Sequence, residues 1–85
     1  MPYTERMITP GQCKAARALL NLTQPQLAKS SGISLRTIVN FEKGNRATNP
    51  GSIALIEGAL ARGGIEFITE NGGGAGVRLK KRSEP

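Results

Sequence analysis

The sequence predicts a mainly α-helical domain of four to five short helices, closed by a C-terminal two-stranded β-hairpin. Three observations lead there. Helix-start chemistry recurs along residues 8–50, and glycines stand at the matching stops. After Gly63-Gly64 the hydrophobic period changes from helical to alternating.

The first start is Ile8-Thr9-Pro10-Gly11-Gln12-Cys13. Thr9 is the N-cap, Pro10 takes the first helical position, Gln12 completes a capping box, and Ile8 with Cys13 forms a hydrophobic staple. Leu22-Thr23-Gln24-Pro25-Gln26-Leu27 repeats this design with Thr23, Gln26 and a Leu22–Leu27 staple. Ile33-Ser34-Leu35-Arg36-Thr37-Ile38 uses Ser34 as cap and Ile33 with Ile38 as staple, although Thr37 is a poorer box partner than Glu or Gln. Asn49-Pro50 opens a fourth helix. Gly32, Gly44 and Gly63-Gly64 read as left-handed residues ending helices. Helices are therefore expected at about 10–20, 24–30, 34–43 and 50–62, each short enough to depend on packing. Ile65-Glu66-Phe67-Ile68-Thr69 and Val77-Arg78-Leu79-Lys80 read as strands around a glycine-rich loop over 70–76. The organisation that follows is a flexible lead-in over 1–7, a helical domain over 8–64, the hairpin over 65–80 and a disordered basic tail over 81–85.

Size and composition narrow the function. At 85 residues the chain is one domain near the lower limit for a single core. One cysteine, Cys13, cannot form an internal disulfide, and among alanines and leucines it reads as a small core residue. Twelve Lys and Arg against six Asp and Glu give a net charge of +6, which favours a polyanionic partner. Histidine is absent, and no residue set supplies a nucleophile with its base or a metal shell. The expectation is a non-enzyme without cofactor or metal. No apolar run is long enough to cross a bilayer and no signal-peptide core follows the start, so a cytoplasmic location is expected. Gly72-Gly73-Gly74-Ala75-Gly76 lacks the spacing of a phosphate loop and precedes a strand, so it reads as a hairpin loop. Arg78-Leu79-Lys80-Lys81-Arg82 is a basic cluster that reads as a solvated tail or as a secondary phosphate-contacting arm.

The third helix carries the sharpest signal. At about 100° per residue, Arg36, Asn40 and Lys43 form one polar ridge, with Thr37 and Val39 beside it and Ile38 and Phe41 opposite. Ordinary solvated faces mix charge signs, whereas this ridge has no carboxylate. Asn40 in mid-helix costs a few tenths of a kcal/mol with no structural return. A helix offering Arg and Asn matches the width of the duplex major groove and the bidentate chemistry of base edges. Arg17 falls within the apolar stripe of the first helix, and Glu42 falls beside Ile38 on the third. Buried charges need partners, so an Arg17–Glu42 bridge is inferred.

Residues 24–43, QPQLAKSSGISLRTIVNFEK, resemble the helix-turn-helix of the phage repressor and Cro type, also called the xenobiotic-response-element family. Ala28 stands at the helix crossing, Gly32 at the turn, Ile38 at the buried branched position, and Phe41-Glu42-Lys43-Gly44 at the family's close. The resemblance runs over roughly residues 8 to 62, and the hairpin looks like that of a short bacterial subgroup. It implies a lambda-repressor-like domain that regulates transcription by binding double-stranded DNA, probing the major groove with helix 34–43. By the same resemblance, Leu35, Arg36 and Asn40 face base edges, while Gln24, Thr37, Lys43, Asn45 and Arg46 contact phosphates, and Arg17 with Glu42 forms a structural salt bridge. Many family members carry a polar residue at the position of Leu35, so this leucine either touches a thymine methyl or turns into the core. Specificity from so few bases asks for a homodimer on a palindromic operator. The hairpin either supplies the dimer edge or folds back over the fourth helix. Two other readings stand beside a repressor: an antitoxin that represses its own operon with a toxin as partner, and an anti-activator that sequesters a protein on the same scaffold. The retained Gln24, Arg36, Asn40 and Lys43 argue against the anti-activator, whereas the antitoxin would itself bind DNA.

Overall fold

The computed structural model describes residues 7–80, so the expected disordered tail and all but the last residue of the lead-in lie outside the described residues. The elements run α1 (Pro10–Leu20), α2 (Gln24–Ser31), α3 (Leu35–Glu42), α4 (Pro50–Arg62), β1 (Ile65–Ile68) and β2 (Gly76–Leu79). The fold is thus mainly helical with an antiparallel C-terminal hairpin, as its punctuation predicts. Among the described residues there are four helices and no fifth.

The caps are local chemistry realised. Thr9 Oγ1 accepts from the Gln12 backbone N–H at 3.0 Å, and Gln12 Oε1 accepts from the Thr9 N–H at 2.8 Å. Thr23 and Gln26 repeat the exchange at 3.1 and 2.9 Å. Ser34 accepts from the Thr37 N–H at 3.2 Å and donates its hydroxyl to Thr37 Oγ1 at 2.8 Å, a half-box in which a hydroxyl replaces the amide. The stops need one correction. Gly32, Gly44 and Gly64 have φ of +75°, +95° and +107°, but Gly63 ends α4 in an ordinary right-handed conformation at −77°. The left-handed stop after α1 is Asn21 at +57°, where asparagine substitutes for glycine.

Short helices hold because each sends its apolar side into one cluster. Ile8, Cys13 and Ala16 meet Leu27, Ile38, Phe41, Ile53, Ile56, Leu60 and Ile65 there. A fully buried large aliphatic or aromatic side chain contributes about 1.5–3 kcal/mol. α2 packs on α3 and α4, and α1 on α3. The hairpin folds back onto the same core, β1 against α4 and β2 against α1. Its register pairs Ile65 with Leu79 and Phe67 with Val77, and Glu66 lies opposite Arg78. Ile65 is buried, with Phe67 and Val77 packed on the core, while Arg78 and Glu66 join in an exposed ion pair at 3.0 Å on the other face.

Two contacts fix the hairpin. The Gln12 side chain, 6% exposed, donates through Nε2 to the carbonyls of Ile68 at 3.1 Å and Gly76 at 2.9 Å. The loop wraps a carboxylate: Glu70 Oε1 accepts from the Gly72 and Gly74 amides at 2.7 and 2.9 Å. Both glycines have positive φ, +99° and +94°, which aims their N–H groups inward at no steric cost. Those amides, Gly74 first, hold the Glu70 carboxyl below its ordinary range. Among the described residues no helix is long and apolar enough to cross a membrane.

Candidate nucleic-acid interface

α3 is anchored from behind. Ile38 and Phe41 are essentially fully buried, and α3 packs against α1 and α2. With that face fixed, the opposite ridge points outward. Arg36 and Lys43 are exposed, Asn40 and Thr37 half-buried, and neither cation of the ridge has a carboxylate partner among the described residues. Leu35 is 43% exposed, which removes the alternative that it turns into the core.

Two open grooves flank the ridge. One is lined by Thr37, Asn40, Asn45, Thr48, Asn49 and Ser52, a wall of amides and hydroxyls where α3, the following loop and the start of α4 converge. The loop is stiffened from within. Asn45 donates its backbone N–H to the Asn40 carbonyl at 3.1 Å, its Oδ1 accepts from the Ala47 N–H at 2.8 Å, and Thr48 Oγ1 donates to its carbonyl at 2.9 Å. Arg46 is exposed on this loop. The second groove lies between α1, the start of α2 and the end of α3, and Lys14, Arg17, Gln24, Glu42 and Lys43 line it. Lys14 has no signal in the motif, but it stands one turn before Arg17 on the same helix and adds a cation to this wall.

Glu42 organises the second groove. It is 4% exposed and accepts from four donors: Arg17 Nε at 2.7 Å, Arg17 Nη2 at 2.6 Å, Gln24 Nε2 at 3.0 Å and Cys13 Sγ at 3.1 Å. Burial pushes its carboxyl up, but the donors led by Arg17 outweigh it, and the net shift is downward. Arg17 is held above its ordinary range by the same bond, and its Nη1 donates to the Leu22 carbonyl at 3.1 Å, tying down the α1–α2 connection. Burial, followed by the hydrogen bond to Glu42, raises the Cys13 thiol strongly, so it is a core hydrogen-bond donor rather than a nucleophile.

The helix-turn-helix family profile matches residues 14–67, which spans α1 to β1 and includes every element of both grooves. The chain belongs to the helix-turn-helix family, of the phage repressor and Cro type. This helix-turn-helix protein is a DNA-binding transcriptional regulator. No curated protein matches its sequence at a significant level.

Within the helix-turn-helix unit, α2 and α3 are joined through Gly32, Ile33 and Ser34, with Gly32 left-handed after its N–H bonds the Ala28 carbonyl at 3.0 Å. Ala28 is partly buried against the core, so its methyl keeps the crossing of the two helices close. The residues nominated from sequence fall in two places. Leu35, Arg36, Thr37 and Asn40 lie on the outer side of α3, with Asn45 and Arg46 on the loop beyond it. Gln24 lies apart from them in the second groove, and Lys43, at the end of the ridge, lines that groove too. Sequence reading missed Gln12 as the hairpin's fastening, because only tertiary proximity distinguishes it from Gln26.

Proposed function

We propose that this regulator is a repressor that binds a palindromic operator as a homodimer, laying α3 in the major groove. Arg36 reads guanine O6 and N7, Asn40 reads adenine N6 and N7, and Leu35 touches a thymine methyl. Gln24, Thr37, Lys43, Asn45 and Arg46 take phosphates and set the register, and Lys14 joins them from α1. The observation that carries this reading is the acid-free ridge of Arg36, Asn40 and Lys43, held outward by Ile38 and Phe41. The hairpin is docked on its own α1 and α4 through the face of Ile65, Phe67 and Val77, so the surface it offers a second copy is the opposite face, where Glu66 and Arg78 lie.

Gel shift and footprinting on the promoter upstream of the protein's own gene test the proposal. The expected result is a protected, two-fold symmetric site with half-sites about one helical turn apart. Contacts from Lys14, Lys43 and Arg46 in two protomers give a slope of about −5 for log affinity against log salt. An unstructured footprint, or a single protomer on the protected site by sedimentation, argues against the dimeric repressor.

A further inference from the structure

A buried acid on the DNA-facing side of a protein of net charge +6 is unexpected on electrostatic grounds. We infer that Glu42, besides holding Arg17, is a positioning residue for DNA binding, because it orients the Gln24 amide so that its remaining N–H meets a backbone phosphate. The inference rests on the phosphate role proposed for Gln24.

The geometry is specific. A glutamine amide has one acceptor end and one donor end, and nothing covalent decides which faces a ligand. A phosphate oxygen attracts the –NH2 and repels the carbonyl oxygen. In the structure Nε2 of Gln24 donates to Glu42 Oε1 at 3.0 Å, which fixes the donor end toward α3. Of its two N–H groups one is thereby used, and the second is left for the groove shared with Lys14 and Lys43. Glu42 cannot swing to release this hold, since Arg17 grips both carboxylate oxygens at 2.7 and 2.6 Å. The order of connection is thus Arg17 to Glu42 to Gln24 to phosphate, and the rotamer entropy of Gln24 is lost on folding rather than on binding.

The sign of one substitution separates positioning from bulk charge. Removing a carboxylate strengthens attraction to DNA if only net charge matters, whereas loss of the Gln24 orientation weakens binding. The probe is a labelled random-sequence duplex about three helical turns long, titrated at about 50 mM salt below the melting temperature of each variant. Gln24→Ala is expected to weaken binding about tenfold, the worth of one charge-assisted hydrogen bond. Glu42→Gln is expected to weaken it by a similar factor, and the double variant to bind no worse than Gln24→Ala alone. Tighter or unchanged binding by folded Glu42→Gln overturns the inference, as do losses that multiply in the double variant. Wild-type affinity for Gln24→Ala overturns the phosphate role of Gln24 and this inference with it. NMR relaxation of the Gln24 side-chain amide in the free wild-type protein needs no variant of Glu42. An ordered amide supports the inference, and picosecond–nanosecond disorder overturns it.

Discussion

Arg17 and Glu42 meet fork to fork between α1 and α3, Nε on Oε2 at 2.7 Å and Nη2 on Oε1 at 2.6 Å, with the Glu42 side chain 3% exposed. Deleting one partner leaves the other desolvated and alone. Glu42→Ala is expected to cost about 3 kcal/mol in urea denaturation. An unchanged midpoint would show that the pair adds nothing to the fold.

The same carboxylate makes stability depend on pH. Its folded pKa lies below the ordinary 4.5, so the folded state binds fewer protons than the unfolded one in that range. The stabilisation is fully present above about pH 4.5 and is lost as pH falls through the folded value. Glu70 acts in the same direction, held low by the Gly74 and Gly72 amides. Melting temperature should hold level from neutral pH down to about pH 5 and then fall. In Glu42→Gln the start is lower and the acid decline shallower; an equally steep decline would assign the pH dependence elsewhere.

Gln12 and Gln26 provide an internal control. Both close capping boxes, but Gln12 also donates to Ile68 and Gly76 and is buried. Gln12→Leu should cost about 2–3 kcal/mol and speed hydrogen exchange across the hairpin. Gln26→Leu should cost under about 1 kcal/mol and leave the hairpin protected. Equal costs would reduce Gln12 to a helix cap.

Arg36→Ala and Asn40→Ala should abolish preference for the footprinted site over random duplex while leaving salt-dependent, non-specific binding in place. Each discriminating pair accounts for about 1–3 kcal/mol. Parallel losses on both duplexes would move these side chains from base edges to phosphates.

Cys13 has 0% exposure, and burial raises its thiol above the ordinary thiol range. Alkylation at pH 8 should therefore follow the rate and extent of global unfolding, accelerating with urea. Rapid labelling of the native protein would mean that α1 opens locally.

What could be read in the chain is what short-range chemistry decides. Thr9, Thr23 and Ser34 cap because their partners lie three residues away, and Ile38 with Phe41 falls opposite Arg36 because a helix has one period. The family resemblance named the right architecture because its glycine, small-residue and apolar positions are the ones the helix crossing needs. Other features depend on elements far apart in sequence. Cys13 as a donor to Glu42, Gln12 as a fastening and Lys14 beside Lys43 require the tertiary structure, since each looks like its unremarked neighbours. Asn21 was missed because a left-handed stop is sought first at glycine. The glycine run over 72–76 was legible as a loop, but not its winding around Glu70.

Gln12 and Ile8 stand near the beginning of the described chain, and both complete their contacts only when residues 65–76 arrive, Ile8 in one core cluster with Ile65 and Gln12 on Gly76. During synthesis the four helices emerge without the segment that closes their first member. A polypeptide arrested before Gly76 would expose the apolar side of α1, the kind of surface on which chaperones and proteases act. The helical unit is therefore closed only after residues 65–76 have been made, because the last contacts of Ile8 and Gln12 come from that segment.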